Sequence, residues 1–198
     1  ALRIEIVRGD DGVMGEVPAR GLTASLLWME ERQRGGPLPA PRVRVAAPFA
    51  PGTLSPRPDA VLQLTGRECP TRDGEGDAGG VSRLNPETLL WLPVCEGGAY
   101  NFTFLPVLTD SHGRHPRVAE LPGPDGRGAG NPVNAAFDTR RNRLAAFLKG
   151  RGPGDCGTSA AWAWTGDGFA LLEWREMPRC TGIFEADWFV LYRATPVR

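Results

Sequence analysis

The side chains best equipped for chemistry lie in one short stretch, where Asp110, His112, His115 and Glu120 set two carboxylates beside the chain's two histidines. Imidazole titrates near neutral pH and ligates metals, so a His-x-x-His pair on a turn, flanked by acids, has the parts of an acid–base pair or a metal site. The surroundings argue against both uses, because Pro116 and the nearby glycines read as a loop, and a site needs its groups held in place. Asp73, Glu75 and Asp77 imitate the alternating carboxylates of a calcium loop, but Ala78 occupies the glycine position and Leu84 stands where a bidentate glutamate belongs. Gly150, Gly152 and Gly154 imitate a phosphate cradle, yet no Gly-Lys-Ser/Thr follows and the next element reads as a strand rather than a helix. Asn101-Phe102-Thr103 matches a glycosylation acceptor, but it falls inside an expected strand. No cofactor or metal is expected, and Asp110, His112, His115 and Glu120 are the only catalytic candidates.

Positioning any site requires a core, and 198 residues with 41% hydrophobic content can build one sizeable domain or two closely packed β-rich halves. Twenty-three basic and 23 acidic residues cancel, so the field that would draw the chain onto nucleic acid or an anionic membrane is absent. Lys149 is the only lysine, and the arginine excess reads as a high-GC coding bias. No apolar run approaches the roughly 18 residues that a membrane-spanning helix needs. The chain opens at Ala1 with neither methionine nor a charged-then-apolar leader, as a mature exported protein or a trimmed piece would.

Four cysteines, Cys69, Cys95, Cys156 and Cys180, are widely spaced with no Cys-x-x-Cys pair, which disfavours zinc. They allow three pairings. Two self-contained loops, each opening near a Gly-rich turn and closing at a strand end, favour Cys69–Cys95 and Cys156–Cys180. Such bonds persist in oxidising compartments and make the protein periplasmic or secreted; four buried thiols would instead make it cytosolic. A bonded Cys156 is also removed as a nucleophile.

Leu2, Ile4 and Ile6 alternate with other residues as a half-buried strand does, and Gly9-Asp10-Asp11-Gly12 makes the turn after it. Leu22, Leu26, Leu27 and Met29 recur at helical spacing over 22–34, with Thr23 as cap and Gly35-Gly36-Pro37 as stop. Residues 42–47 read as an edge strand, 48–58 as a proline-rich linker and candidate boundary, 60–65 as a strand and 67–82 as a polar surface loop. Strands are expected at 89–94 and 99–108, joined at Glu96-Gly97-Gly98, with 109–132 a loop. Residues 135–138 and 144–149 form a short hairpin, and 160–165 and 169–175 a second around Gly166-Asp167-Gly168, before a last strand at 188–193. The sum is an α+β fold, mainly antiparallel β with one clear helix and two disulfides. Six tryptophans, Trp28, Trp91, Trp162, Trp164, Trp174 and Trp188, suit a core; Trp162 and Trp164, two apart on one sheet face, are also candidate binding aromatics.

The segment from Gly150 to Thr158 carrying Gly154-Asp155-Cys156-Gly157, with Trp162, Trp164, Gly168-Phe169 and the run from Glu173 to Cys180, resembles the bacterial "domain of unknown function 1176" family. So do Gly21 to Glu30 and the run from Leu92 to Asn101 with its Cys95-Glu96-Gly97-Gly98-Ala99-Tyr100-Asn101 turn, and Glu185-Ala186 is a small insertion against the pattern. The resemblance implies an exported protein of Gram-negative bacteria and the C-terminal part of a longer precursor, and it adds no chemistry. A non-enzymatic envelope module that binds a protein or glycan, through its sheet face or Arg-containing loops, is the expected function. The alternative is an envelope hydrolase using His112 and His115.

Overall fold

The computed structural model describes residues 40–49, 56–69 and 80–198, together with the backbone of 4–8 and 13–17. The chain divides into two units, 1–40 and 41–198. In the first, β1 (Ile4–Arg8) and β2 (Val13–Val17) pair antiparallel, from Ile4 opposite Val17 to Arg8 opposite Val13. The expected turn at 9–12, the helix at 22–34 with Trp28, and the acidic segment around Asp73, Glu75 and Asp77 lie outside the described residues.

The second unit is built on a five-stranded antiparallel meander of β10 (Ala136–Asp138), β11 (Arg143–Lys149), β12 (Gly157–Trp164), β13 (Phe169–Met177) and β14 (Phe189–Arg193), in that order. A four-stranded sheet has the order β4 (Val81–Arg83), β5 (Thr88–Trp91), β8 (Val107–Asp110), β9 (Arg117–Val118). Between β5 and β8 the chain makes a ribbon of β6 (Val94–Gly97) and β7 (Phe102–Phe104), and β3 (Arg42–Arg44) pairs parallel with β15 (Thr195–Val197). The described fold is thus mainly antiparallel sheet with one α-helix and the disulfides Cys69–Cys95 and Cys156–Cys180.

Period-two alternation explains the layering, since successive side chains of a strand point to opposite faces. Leu90, Leu92 and Leu108 turn to one side of the four-stranded sheet and meet Leu144, Trp162, Trp164, Phe169 and Leu171 of the meander in the main core. Leu89, Trp91 and Val107 turn to the other side and pack on Val61 and Leu64 of helix α1 (Asp59–Glu68) and on the Cys69–Cys95 bridge. On the meander's far face Ala163 and Leu172 pack with Val43, Val45 and Ala194. Sheets covered on both faces read as unbroken apolar runs, as 89–92 and 160–164 do.

Helix α1 corrects the strand expected at 60–65. A short apolar run fits both periods, and here the buried residues Val61, Leu64 and Thr65 fall three and four apart, on one helical stripe. Pro58 and Asp59 supply the start signals, and the Thr65 hydroxyl donates to the Val61 carbonyl at 2.8 Å. Two loops also need correction. Arg67 and Glu68 belong to α1 and Val81 and Ser82 to β4, while the stretch 109–132 contains β9 and buries Ala119 and Leu121.

Two backbone devices lock the meander. Asn142, at φ 55° and 1% exposed, donates from Nδ2 to the Ala46 carbonyl at 3.1 Å, and its own carbonyl accepts the Trp164 N–H at 3.0 Å. Gly157, at φ 131°, lies so close to β11 that a Cβ would stand 1.9 Å from the Leu148 carbonyl oxygen. Gly157→Ala must therefore move main chain, and the expected cost is at least about 2 kcal/mol, read from the midpoint of urea unfolding.

Candidate functional site

The edge strand β9 continues through 119–122 and turns back over 126–131, a return held by Ala129 N–H to Leu121 O at 2.7 Å and by a bridge between Pro122 and Gly128. Facing it is the β12–β13 turn. Between them lies an open cleft of about 930 Å³, one wall of which is the six consecutive residues 117–122 and another 167–169. Val118 gives it apolar surface over a floor of the buried Leu108, Leu121 and Phe169, while Arg117, Glu120, Arg127 and Asp167 bring charge. Arg117 reaches across to the Asp167 carbonyl at 3.4 Å. The Thr165 hydroxyl donates to Asp167 Oδ1 at 2.7 Å and, with backbone N–H groups, holds that carboxyl below its usual range. Such a site can bind an elongate ligand carrying both apolar and hydrogen-bonding groups.

Of the sequence candidates, the structure puts Asp110, His112 and His115 on the β8–β9 turn and Glu120 in the cleft wall. Asp110 Oδ1 accepts the backbone N–H of Arg114 at 2.8 Å and of His112 at 2.9 Å. The Arg114 N–H foremost, then that of His112 and the two imidazoles, hold its carboxyl below the usual range. Asp110 is thus the brace of a tight turn. His112 Nδ1 lies 3.2 Å from the Ser111 hydroxyl, both histidines are exposed, and His115 takes a left-handed φ of 55°. Trp162 and Trp164, the candidate binding aromatics, are 2% and 1% exposed and offer no face to a ligand. Asn101 uses its amide within the fold, donating to the Lys149 carbonyl at 2.9 Å and accepting the Lys149 N–H at 3.1 Å. Apolar side chains stand exposed instead at Phe184, Phe189 and Leu191, on and beside the edge strand β14.

Sequence reasoning passed over Asp155. Among the described residues, it forms with Cys156 and Cys180 the one group of three metal-ligating side chains within reach of each other, but the two sulfurs are bonded together. Its role is structural: Arg151 Nε donates to Oδ1 at 2.7 Å, Arg151 Nη2 to Oδ2, and the Gly182 N–H to Oδ2 at 2.7 Å. These bonds, that of Arg151 above all, hold the Asp155 carboxyl far below the ordinary range. A depressed carboxyl stabilises the fold where the unfolded chain would also be ionised, and loses that effect as pH falls through the native value. The melting temperatures of the wild type and Asp155→Asn should therefore differ by several degrees above about pH 5, and converge as pH drops below the unfolded carboxyl value of about 4. A gap that widens in acid would exclude this role.

The sequence profile of the family described as "Protein of unknown function (DUF1176)" matches residues 36–195. A relative, "Uncharacterized protein YpfG" of Escherichia coli (strain K12), is 31% identical over 105 residues. That alignment covers 50% of this chain and 30% of the relative, so the chain spans under a third of that protein's length. No solved structure matches the chain.

Proposed function

We propose, since the chain belongs to the DUF1176 family, that it acts as a non-enzymatic binding module of the bacterial cell envelope, holding an extended segment of a partner protein in the cleft beside β9. The carrying observation is the cleft wall itself: six consecutive residues, 117–122, follow one side of it, a shape suited to a chain-like ligand rather than a compact one. β9 is also the terminal strand of its sheet, so a further strand could add at Arg117 and Val118, ahead of the point where Leu121 O already accepts the Ala129 N–H. The two disulfides support a periplasmic or secreted location, where such bonds persist. No helix among the described residues is long and apolar enough to cross a membrane.

Gly128 and Gly168 both line the cleft and have open space where a Cβ would stand, so a side chain can start from either position without meeting a neighbour, and tryptophan is the bulkiest block to try. With a photo-crosslinker at Arg127, native envelope should yield a discrete protein adduct that Gly168→Trp and Gly128→Trp each abolish at unchanged melting temperature. Adducts that persist with the cleft blocked would overturn the reading. So would turnover of an envelope substrate that His112→Ala and His115→Ala eliminate, which would make the protein a hydrolase.

A further inference from the structure

A second concavity, of about 280 Å³, lies on the opposite face of the meander, where the β10–β11 turn meets β3 and the segment after it. Val45, Ala46 and Leu172 line its apolar side, and Arg140, Arg141 and Arg143 line it from the turn. The turn is rigid. Asp138 Oδ1 accepts the backbone N–H of Arg140 at 2.9 Å and of Arg141 at 3.2 Å, and buried Asn142 ties the turn to Ala46. Asp138 also approaches Arg141 Nη1 at 3.5 Å, an exposed pair. Arg143 differs from its neighbours because its Nε is buried and has no hydrogen-bond partner among the described residues. A buried, unpaired guanidinium donor costs stability, and neither the apolar side chains nor the already engaged Asp138 relieve it.

We propose that this concavity is a phosphate-binding site, with the exposed Arg140 and Arg141 and the Nη groups of Arg143 as its donors. Guanidinium groups present planar, multi-donor forks that match the oxygens of a phosphate, and on a rigid turn they need little reordering to meet one. Three arginines against Asp138 leave the turn with two uncompensated positive charges, and Arg198 lines the same concavity, an excess that suits the dianion of a phosphate monoester above its second pKa of about 6. A carboxylate would neutralise less of it. The site shares no lining residue with the cleft beside β9, so it stands whether or not the cleft holds a partner.

Isothermal titration of the full chain with glycerol 3-phosphate and inorganic phosphate, at low salt and pH 7.5, tests this, with acetate as the monoanion control. Saturable one-to-one binding of both phosphates is expected, at least tenfold tighter than acetate. Arg143→Met should weaken it at least tenfold and Arg140→Met severalfold, while Arg179→Met, an exposed arginine elsewhere, leaves it unchanged. Arg140→Met and Arg141→Met alter only exposed side chains and keep the test open if Arg143→Met folds poorly. Flotation with phosphatidic acid vesicles distinguishes the source: binding lost in Arg140→Met shows that a lipid headgroup reaches the site, and no flotation assigns it to soluble phosphates. Absence of phosphate binding, acetate bound as tightly, or equal weakening by Arg179→Met overturns the proposal.

Discussion

Reducing both disulfides in otherwise native buffer is expected to unfold the 41–198 unit at or near physiological temperature. Cys69 and Cys95 are 26 residues apart and Cys156 and Cys180 24 apart. In the chain-entropy account, closing loops of that length contributes about 3.5 kcal/mol each. Together that is about 7 kcal/mol, against a total stability of about 5–15 kcal/mol for a domain of ordinary size. The bridges differ in what they join: Cys69–Cys95 anchors the end of α1 to β6, a tie that no sheet makes, whereas Cys156–Cys180 closes the open end of the β12–β13 hairpin just beyond the Gly157–Met177 pair. Thermal unfolding with and without a phosphine reductant, alongside non-reducing peptide mapping, checks both effect and pairing. Four alkylatable thiols in native protein with an unmoved melting temperature would refute it and remove the support for an envelope location.

Truncating Trp164 to alanine should cost about 3–5 kcal/mol, the range for emptying a large aromatic from a packed core. The side chain is 1% exposed and meets Phe169 edge-on with ring centroids 5.3 Å apart. A finer comparison separates packing from hydrogen bonding. Trp162 Nε1 donates to the Pro122 carbonyl at 2.8 Å, whereas Trp164 Nε1 is buried with no partner among the described residues. Replacement by phenylalanine should therefore cost more at position 162, where a bond is lost, than at 164, where an unmet donor is removed. Urea unfolding of the two variants measures it, and the reverse order would show that ring volume dominates.

How much of this could be read beforehand varies with the physics behind each element. The hairpin of β12 and β13 was legible because Trp162 and Trp164 alternate with alanines and Gly166-Asp167-Gly168 can only turn; in the structure Trp162 lies opposite Leu171 and Trp164 opposite Phe169. The disulfide pairing was legible because each loop closes on itself. Helix α1 was misread because its run of Val61, Leu62 and Leu64 suits either period, and only the layer it covers decides. The cleft was invisible for another reason. Its walls are non-repetitive chain, 117–122 and 126–131, positioned by main-chain bonds such as Ala129 to Leu121 that leave no pattern of side-chain types. Asp110 looked like a catalytic acid from its neighbours alone, yet two backbone N–H groups claim its carboxylate. Arg143 gave no signal at all, since an unpaired Nε is a property of its surroundings and not of its sequence.

The parallel pairing of β3 with β15 has a mechanical consequence. Arg42, Val43 and Arg44 lie beside Thr195, Pro196 and Val197 in the same direction, extended by Val45 N–H to Val197 O at 2.7 Å and Thr195 N–H to Pro41 O at 2.7 Å. Tension entering before Arg42 and leaving after Val197 drags the two strands along their axes in opposite senses, so their hydrogen bonds carry the load together in shear instead of parting one by one. Once that clamp slips, the two cystine loops stay closed and each withholds roughly 80 Å of extended chain. Under stretch the 41–198 unit should behave as a short tether that resists first and then yields less length than its residue count would allow.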